Sequence, residues 1–163
     1  MSLTTVYQDI TTSNCDYICH QVNCKGKMNS GVAKAIRNKW PIVYTNYMAK
    51  FEAVSPELWY NFLGNIQIVP LYEDFYKDEH RQQVINLFSQ NDYGYDGARY
   101  TSYDAFWICL NQIAHTIPKG SKIGFPYKIG CGRGGANWNV IKEMIDEVLG
   151  KDYTVVIFMW EDE

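Results

Sequence analysis

Six short segments rich in apolar, β-branched and aromatic residues alternate along the chain with segments that repeat apolar residues at three- and four-residue intervals. The first pattern is typical of strands, and the second of helices with one buried face. Their alternation predicts an α/β fold. The predicted strands cover residues 4–10, 16–22, 65–72, 82–90, 121–127 and 152–160. The predicted helices cover residues 31–39, 42–53, 102–116 and 137–149.

The last predicted strand indicates how the elements are layered. Its run VVIFMW, residues 155–160, is apolar at consecutive rather than alternate positions, which is typical of strands buried on both faces. We therefore expect three layers, α/β/α, around a mixed, largely parallel sheet of about six strands, with antiparallel pairing only at the edges. The length of 163 residues and the 47% hydrophobic content suit one domain over residues 1–163.

Composition argues against several classes of protein. The chain has 15 basic and 18 acidic residues, so it lacks the basic excess of a nucleic-acid-binding protein. It has no run approaching the roughly 20 apolar residues of a membrane span, and no leader-like start. We therefore expect a cytoplasmic protein with neither nucleic acid nor membrane as a partner. The five cysteines form no Cys-x-x-Cys pair, so we expect reduced thiols, no metal and no cofactor.

Two predicted loops between a strand and the following helix are rich in glycine. The first runs from Asn23 to Gly31, and the second, KIGCGRGGANW, has four glycines within residues 130–135. In open α/β sheets such loops lie at the carboxyl ends of strands, where backbone N–H groups and helix N-termini bind anions. Neither loop has the Walker or dinucleotide spacing, so we expect a phosphate ester held by backbone groups. The alternative is that the glycines only mark turns.

A few polar and aromatic side chains near these loops are further candidates, each with a structural alternative. Asp9 is suited to accept hydrogen bonds from an exocyclic amine, or to cap a turn. Asn23 is suited to bind hydroxyls, or to turn the backbone. His20 is suited to carry a proton, or to pack as a buried strand residue. Arg133 is suited to clamp a phosphate or to project into solvent, and the tyrosines of segment 89–104 to stack on a ligand or on the sheet.

Three segments together resemble the macrodomain family of ADP-ribose-binding modules. They are DYICHQVNCKGKMNSGVAKAIRNKWP at 16–41, YQDI before it, and IGFPYKIGCGRGGANWNVIKEMIDEV at 123–148. The similarity follows the family's order and spacing over nearly the whole chain. Within the family it is greatest to the branch of ADP-ribose-1″-phosphate phosphatases and terminal ADP-ribose–glutamate hydrolases, found in bacteria and phages. The resemblance implies ADP-ribose in a cleft at the strand ends.

The resemblance also implies a role for individual residues. Asp9 and the backbone at Ile10 would receive the adenine amine, and Asn23 would bind the distal ribose. The first loop would wrap the diphosphate and distal ribose from one side, and the second would supply backbone N–H groups from the other. The implied binding residues are Asp9, Ile10, Asn23, Met28, Asn29, Ser30, Gly31, Val32, Ala33, Ser89, Gln90, Asn91, Ile129, Gly130, Cys131, Gly132, Arg133, Gly134 and Gly135.

For catalysis the resemblance leaves two functions open. Hydrolases of ADP-ribosyl glutamate in this branch use a lysine on the strand before residue 89 and an aspartate in the second loop, but here the strand reads QVINLFSQ and the loop position is Gly134. Phosphatase-type members carry a histidine where His20 lies, as a general acid or base. The first function is therefore hydrolysis of an ADP-ribose derivative, most simply the 1″-phosphate, by His20. The second is non-catalytic binding of free or protein-linked ADP-ribose.

Overall fold

The computed structural model describes residues 3–71 and 82–160, and within them it contains six strands and four α-helices. Two short 3-10 helices, Ile10–Thr12 and Pro56–Phe62, complete the elements. Residue 72, the last of the third predicted strand, lies outside the described residues. The strands are β1 Leu3–Tyr7, β2 Tyr17–Asn23, β3 Ile66–Pro70, β4 Gln83–Gln90, β5 Lys122–Pro126 and β6 Thr154–Met159. The α-helices are α1 Gly31–Lys39, α2 Pro41–Glu52, α3 Tyr103–Thr116 and α4 Trp138–Leu149.

The six strands form one mixed sheet in the order β1-β6-β5-β2-β4-β3. Neighbouring strands are parallel, except that β3 runs antiparallel to β4 at one edge. The predicted α/β class and the largely parallel sheet with an antiparallel edge are therefore confirmed.

The sheet is covered on both faces, which explains the consecutive apolar residues of its central strands. In β2, Ile18 and Val22 pack on the side of α1 and α2, whereas Cys19 packs on the side of α3 and α4. In β6, Ile157 lies in the second of these cores and Phe158 in the first. Alternate side chains of one strand thus enter two different cores.

The connections after β2 and β5 position the functional site. The two strands are neighbours in the sheet, but the chain leaves β2 toward α1 on one face and leaves β5 toward α4 on the other. A crevice therefore opens at the carboxyl ends of these strands, where open α/β sheets bind ligands. No helix in residues 3–71 or 82–160 is long and apolar enough to cross a membrane. The same residues contain no cluster of metal-ligating side chains.

Candidate functional site

Asn23, the last residue of β2, organises the loop that follows. Its Oδ1 accepts hydrogen bonds from the backbone N–H groups of Lys25 at 3.0 Å and Lys27 at 3.3 Å. Its Nδ2 donates to the carbonyl oxygen of Lys27 at 2.9 Å. The buried Tyr47 of α2 donates its hydroxyl to both the backbone and the side-chain oxygen of Asn23, at 2.8 and 2.9 Å. The shape of the first glycine loop, residues 24–30, is therefore fixed by one side chain and one helix.

The first glycine loop ends at the N-terminus of α1. Ser30 occupies the N-cap position in extended conformation, and its side chain makes no capping hydrogen bond. The first intrahelical donor of the helix is Lys34, which bonds to the carbonyl of Ser30 at 3.2 Å. The N–H groups of Gly31, Val32 and Ala33 precede it and have no intrahelical acceptor, so this end of α1 carries partial positive charge and unpaired donors.

A second set of unpaired donors lies in the second glycine loop, residues 127–136. Three internal bonds close this loop: Cys131 N–H donates to Lys128 O at 2.8 Å, Gly135 N–H to Gly132 O at 3.2 Å, and Ala136 N–H to Gly130 O at 2.9 Å. Gly130 has a φ of +74°, a conformation that favours glycine. The N–H groups of Gly132, Arg133 and Gly134, three successive residues of this loop, have no hydrogen-bond acceptor among the described residues.

Side chains of β2 and β4 and of Thr101, two residues before α3, form a partly buried polar network beneath the second loop. Gln21 Oε1 accepts from the hydroxyl of Ser89 at 2.6 Å, and its Nε2 donates to Gln90 Oε1 at 2.5 Å and to Thr101 Oγ1 at 2.9 Å. Thr101 donates in turn to the carbonyl of Gly130 at 2.8 Å. The network therefore ties the loop to the end of the sheet.

The two loops enclose two adjoining cavities of about 610 and 130 Å³, which we call the cleft. Of the sequence-predicted residues, the larger cavity is lined by His20, Ser30, Gly31, Val32, Ala33, Gln90 and residues 129–134. The smaller is lined by Asn23, Met28, Asn29, Ser30, Ala33, Gln90 and Arg133. Arg133 reaches over both cavities and stacks on Tyr95, with its Cζ 4.2 Å from the ring centroid.

Five predicted binding residues line neither cavity: Asp9, Ile10, Ser89, Asn91 and Gly135. The Oδ1 of Asp9 caps the first 3-10 helix by accepting from the N–H and the hydroxyl of Thr11, at 2.9 and 2.8 Å. That helix packs between α1 and β5, and Ile10 is buried there. Ser89 is buried in the polar network, and the carbonyl of Asn91 accepts from the N–H of Cys24 at 3.0 Å.

His20 lines the larger cavity, but it is only 1% exposed. Its Nε2 is hydrogen-bonded to Asn86 Oδ1 at 2.5 Å. Burial lowers the pKa of His20 to about 4, because the charged imidazolium loses its hydration. Burial likewise raises the pKa of the Cys131 thiol in the second loop to about 11. At neutral pH both groups are therefore uncharged.

Gln21 and Thr101 belong to the candidate site, and the sequence analysis did not predict them. Gln21 lines both cavities, and Thr101 holds the second loop from below. For Gln21, the one indication in the sequence was a polar residue near the end of an otherwise apolar strand. Thr101 lies 80 residues from Gln21 in a loop-like segment, so no local pattern connects the two.

Comparisons with known proteins identify the fold. No family model matches the chain. Over 147 residues, 88% of this chain and 86% of the relative, it is 26% identical to an uncharacterized 17.5 kDa protein of Enterobacteria phage T4. The solved macrodomain of Thermus aquaticus DarG gives a TM-score of 0.71 at 20% identity, over 98% of this chain and 97% of that one. Thermosipho africanus DarTG in complex with ADP-ribose gives 0.74 at 19% identity, over 98% of this chain and 42% of that one. The chain therefore has the macrodomain fold that its sequence predicts.

Proposed function

We propose that this protein binds ADP-ribose in the cleft between its two glycine loops. One observation carries the proposal: two sets of unpaired backbone N–H groups, at the first turn of α1 and at Gly132–Gly134, border the same cavity of about 610 Å³. A diphosphate is the group that such opposed donors suit, since it has acceptor oxygens on both sides. The likeness to a DarTG structure that is in complex with ADP-ribose supports the same ligand.

The cleft suggests how the ligand is oriented. The diphosphate would lie between the two sets of N–H groups, with Arg133 above it. The smaller cavity, next to Asn23, would take the distal ribose, and a tyrosine at its rim, Tyr93 or Tyr95, would pack against that sugar. The adenosine would extend along the larger cavity toward the 3-10 helix Ile10–Thr12, which Asp9 caps. Free ADP-ribose and ADP-ribose attached to a protein both fit this orientation, because the distal ribose lies at the rim.

Calorimetric titration with ADP-ribose, using AMP and ADP as controls, tests the proposal. We expect binding of ADP-ribose at micromolar or tighter affinity, weaker binding of ADP, and little binding of AMP, which lacks the diphosphate. Ala33 lines both cavities, so Ala33→Phe should fill the cleft and abolish binding. Ala35→Phe places the same side chain on an exposed position of the same helix and should bind normally. Absence of heat with all three nucleotides would refute the proposal.

A second candidate function is hydrolysis of ADP-ribose-1″-phosphate with His20 as the proton carrier. His20 borders the larger cavity, so this reaction requires the distal ribose to lie there rather than in the smaller cavity. In that reaction water attacks phosphorus, the bond between phosphorus and the ribose oxygen breaks, and His20 passes a proton from the attacking water to the departing ribose oxygen. Its burial and lowered pKa make it a poor acid at neutral pH, so the geometry supports binding more strongly than turnover. Release of inorganic phosphate by the wild type, lost in His20→Ala with ADP-ribose affinity retained, would establish the hydrolase.

A further inference from the structure

Three polar side chains cross the sheet in a line, from the cleft to its far edge. His20 of β2 lies directly beside Asn86 of β4, which lies directly beside Gln67 of β3. His20 Nε2 is bonded to Asn86 Oδ1 at 2.5 Å, and Asn86 Nδ2 donates to Gln67 Oε1 at 3.0 Å. Gln67 Nε2 donates to the backbone carbonyl of Asn46 in α2 at 2.9 Å. We call these three side chains the relay.

The backbone carbonyl at the end of the relay sets the direction of every bond in it. The oxygen of Asn46 can only accept, so the amide nitrogen of Gln67 must face it. Gln67 then turns its oxygen to Asn86, which must offer its nitrogen there and its own oxygen to His20. An oxygen facing Nε2 requires a hydrogen on Nε2. In the neutral ring, Nδ1 is consequently the unprotonated nitrogen.

This unprotonated nitrogen is a buried acceptor without a donor. Nδ1 of His20 has no hydrogen-bond partner among the described residues, although His20 lines the larger cavity. Buried polar atoms are nearly always paired, and an orphaned one next to a cavity points to a partner supplied from outside the protein. The lowered pKa of the ring agrees with a neutral acceptor.

We propose that the relay holds His20 as a hydrogen-bond acceptor. Its Nδ1 accepts a hydrogen bond from a ribose hydroxyl of the bound nucleotide in the larger cavity. The contact with the sugar rests on the proposed binding of ADP-ribose, whereas the tautomer of His20 follows from the relay alone. A hydroxyl can donate to Nδ1, whereas a fully ionised phosphate cannot. The relay would therefore select a free sugar hydroxyl at this point of the cleft over a phosphorylated one. Asn86 and Gln67 are positioning residues in this scheme, because they act through His20.

The tautomer is testable in the free protein by ¹⁵N NMR of the histidine rings at neutral pH, with His20→Asn used to assign the signals. Protonated and unprotonated ring nitrogens resonate at well-separated frequencies. We expect His20 as the neutral Nε2–H form. A hydrogen on Nδ1, or an imidazolium with hydrogens on both nitrogens, would overturn the relay whether or not ADP-ribose binds.

The contact with the ligand is testable by repeating the spectrum with saturating ADP-ribose. We expect the Nδ1 resonance to shift as it accepts a hydrogen bond, while Nε2 stays protonated. An unchanged Nδ1 in the bound protein would refute the contact and leave the nitrogen to a buried water. If calorimetry shows that ADP-ribose does not bind, the proposed function and this contact fail together, and the free-protein spectrum still decides the tautomer.

Gln67→Leu tests the positioning role from outside the cleft, because Gln67 lines neither cavity. It should allow Asn86 to rotate, so we expect a mixture of His20 tautomers and a several-fold loss of ADP-ribose affinity. The control is Gln112→Leu, which removes another amide that donates to a backbone carbonyl, that of Gly64 at 2.8 Å. Thermal unfolding should show both variants folded. An unchanged His20 tautomer in Gln67→Leu would contradict the positioning role.

Discussion

The backbone of Gly134 lies directly against the hydroxyl of Thr101. A Cβ at Gly134 would overlap Thr101 Oγ1 and would lie 2.5 Å from the carbonyl oxygen of Gly130. Thr101 in turn donates to that carbonyl. The loop therefore closes so tightly that no side chain fits at this position, including the aspartate that glutamyl hydrolases of the resembled branch would carry there. The packing of the loop therefore excludes an acidic side chain at position 134, where the sequence has glycine.

Because of this packing, we expect an alanine at Gly134 to lower stability more than an alanine at Gly132. Gly134→Ala should lower the free energy of unfolding by about 1–3 kcal/mol, because the added methyl displaces the loop from Thr101. Gly132→Ala adds the same methyl where no atom lies within 4 Å, and we expect a change below about 0.5 kcal/mol. Urea denaturation of the two variants checks this. Equal stabilities would mean that the loop relaxes freely.

Arg133 should contribute to ligand affinity by its charge. It lines both cavities and stacks on Tyr95, so its guanidinium lies at the cleft, where we expect the diphosphate to bind. We expect Arg133→Ala to weaken ADP-ribose binding about tenfold, which is about 1.4 kcal/mol, and to reduce the salt dependence of binding.

Arg99→Ala is the matched control, since Arg99 is exposed and lies 4.5 Å from the ring centroid of Tyr103 but lines neither cavity. Calorimetry at two salt concentrations compares the variants. Equal losses in both would assign the effect to overall charge rather than to the cleft.

Burial of His20 predicts a pH dependence of stability. The pKa of His20 is about 4 in the folded protein against 6.5 for a solvated histidine side chain, so between these values the unfolded chain binds a proton that the folded chain does not. The free energy of unfolding should therefore fall as the pH is lowered from 6.5 to about 4, by on the order of 3 kcal/mol.

Urea unfolding at several pH values measures this slope. His20→Leu should lose the part of the pH dependence that comes from His20, even if the variant is less stable at every pH. His115→Gln, which changes an exposed histidine, should retain the wild-type pH dependence. A wild-type slope that survives in His20→Leu would assign the effect to other groups.

Asn23 should affect binding mainly through the shape of the first loop. Asn23→Ala removes the acceptor for two backbone N–H groups and for Tyr47, so we expect a loss of about 1–3 kcal/mol in stability and at least tenfold weaker binding. Tyr47→Phe removes only the supporting hydroxyl and should give a smaller loss of affinity. Calorimetry and urea denaturation separate the two effects. Normal affinity in Asn23→Ala would show that the loop needs no such anchor.

Most of the fold follows from local patterns in the sequence. The apolar periods of the segments at 16–22 and 137–149 predict β2 and α4 because a strand or helix repeats its buried positions within a few residues. The antiparallel β3 lies at an edge, as expected, although the strand order depends on contacts distant in sequence. The positions of the two glycine loops were predictable because strand, loop and helix follow one another directly, and their binding of a ligand stays a prediction.

By itself, then, the sequence determined the α/β/α architecture, the two loops and the place of the cleft, because each is set by neighbouring residues. The chemical state of the site was decided only by the tertiary structure. His20 is hydrogen-bonded to Asn86, which lies 66 residues away in the chain. The sequence suggested a proton carrier at this position, but burial keeps the ring uncharged at neutral pH, and we infer that it acts as a hydrogen-bond acceptor. Likewise, Thr101 reaches Gly130 and Gly134 only in the folded chain. Burial and hydrogen bonding depend on which distant residues become neighbours, and no local pattern encodes that.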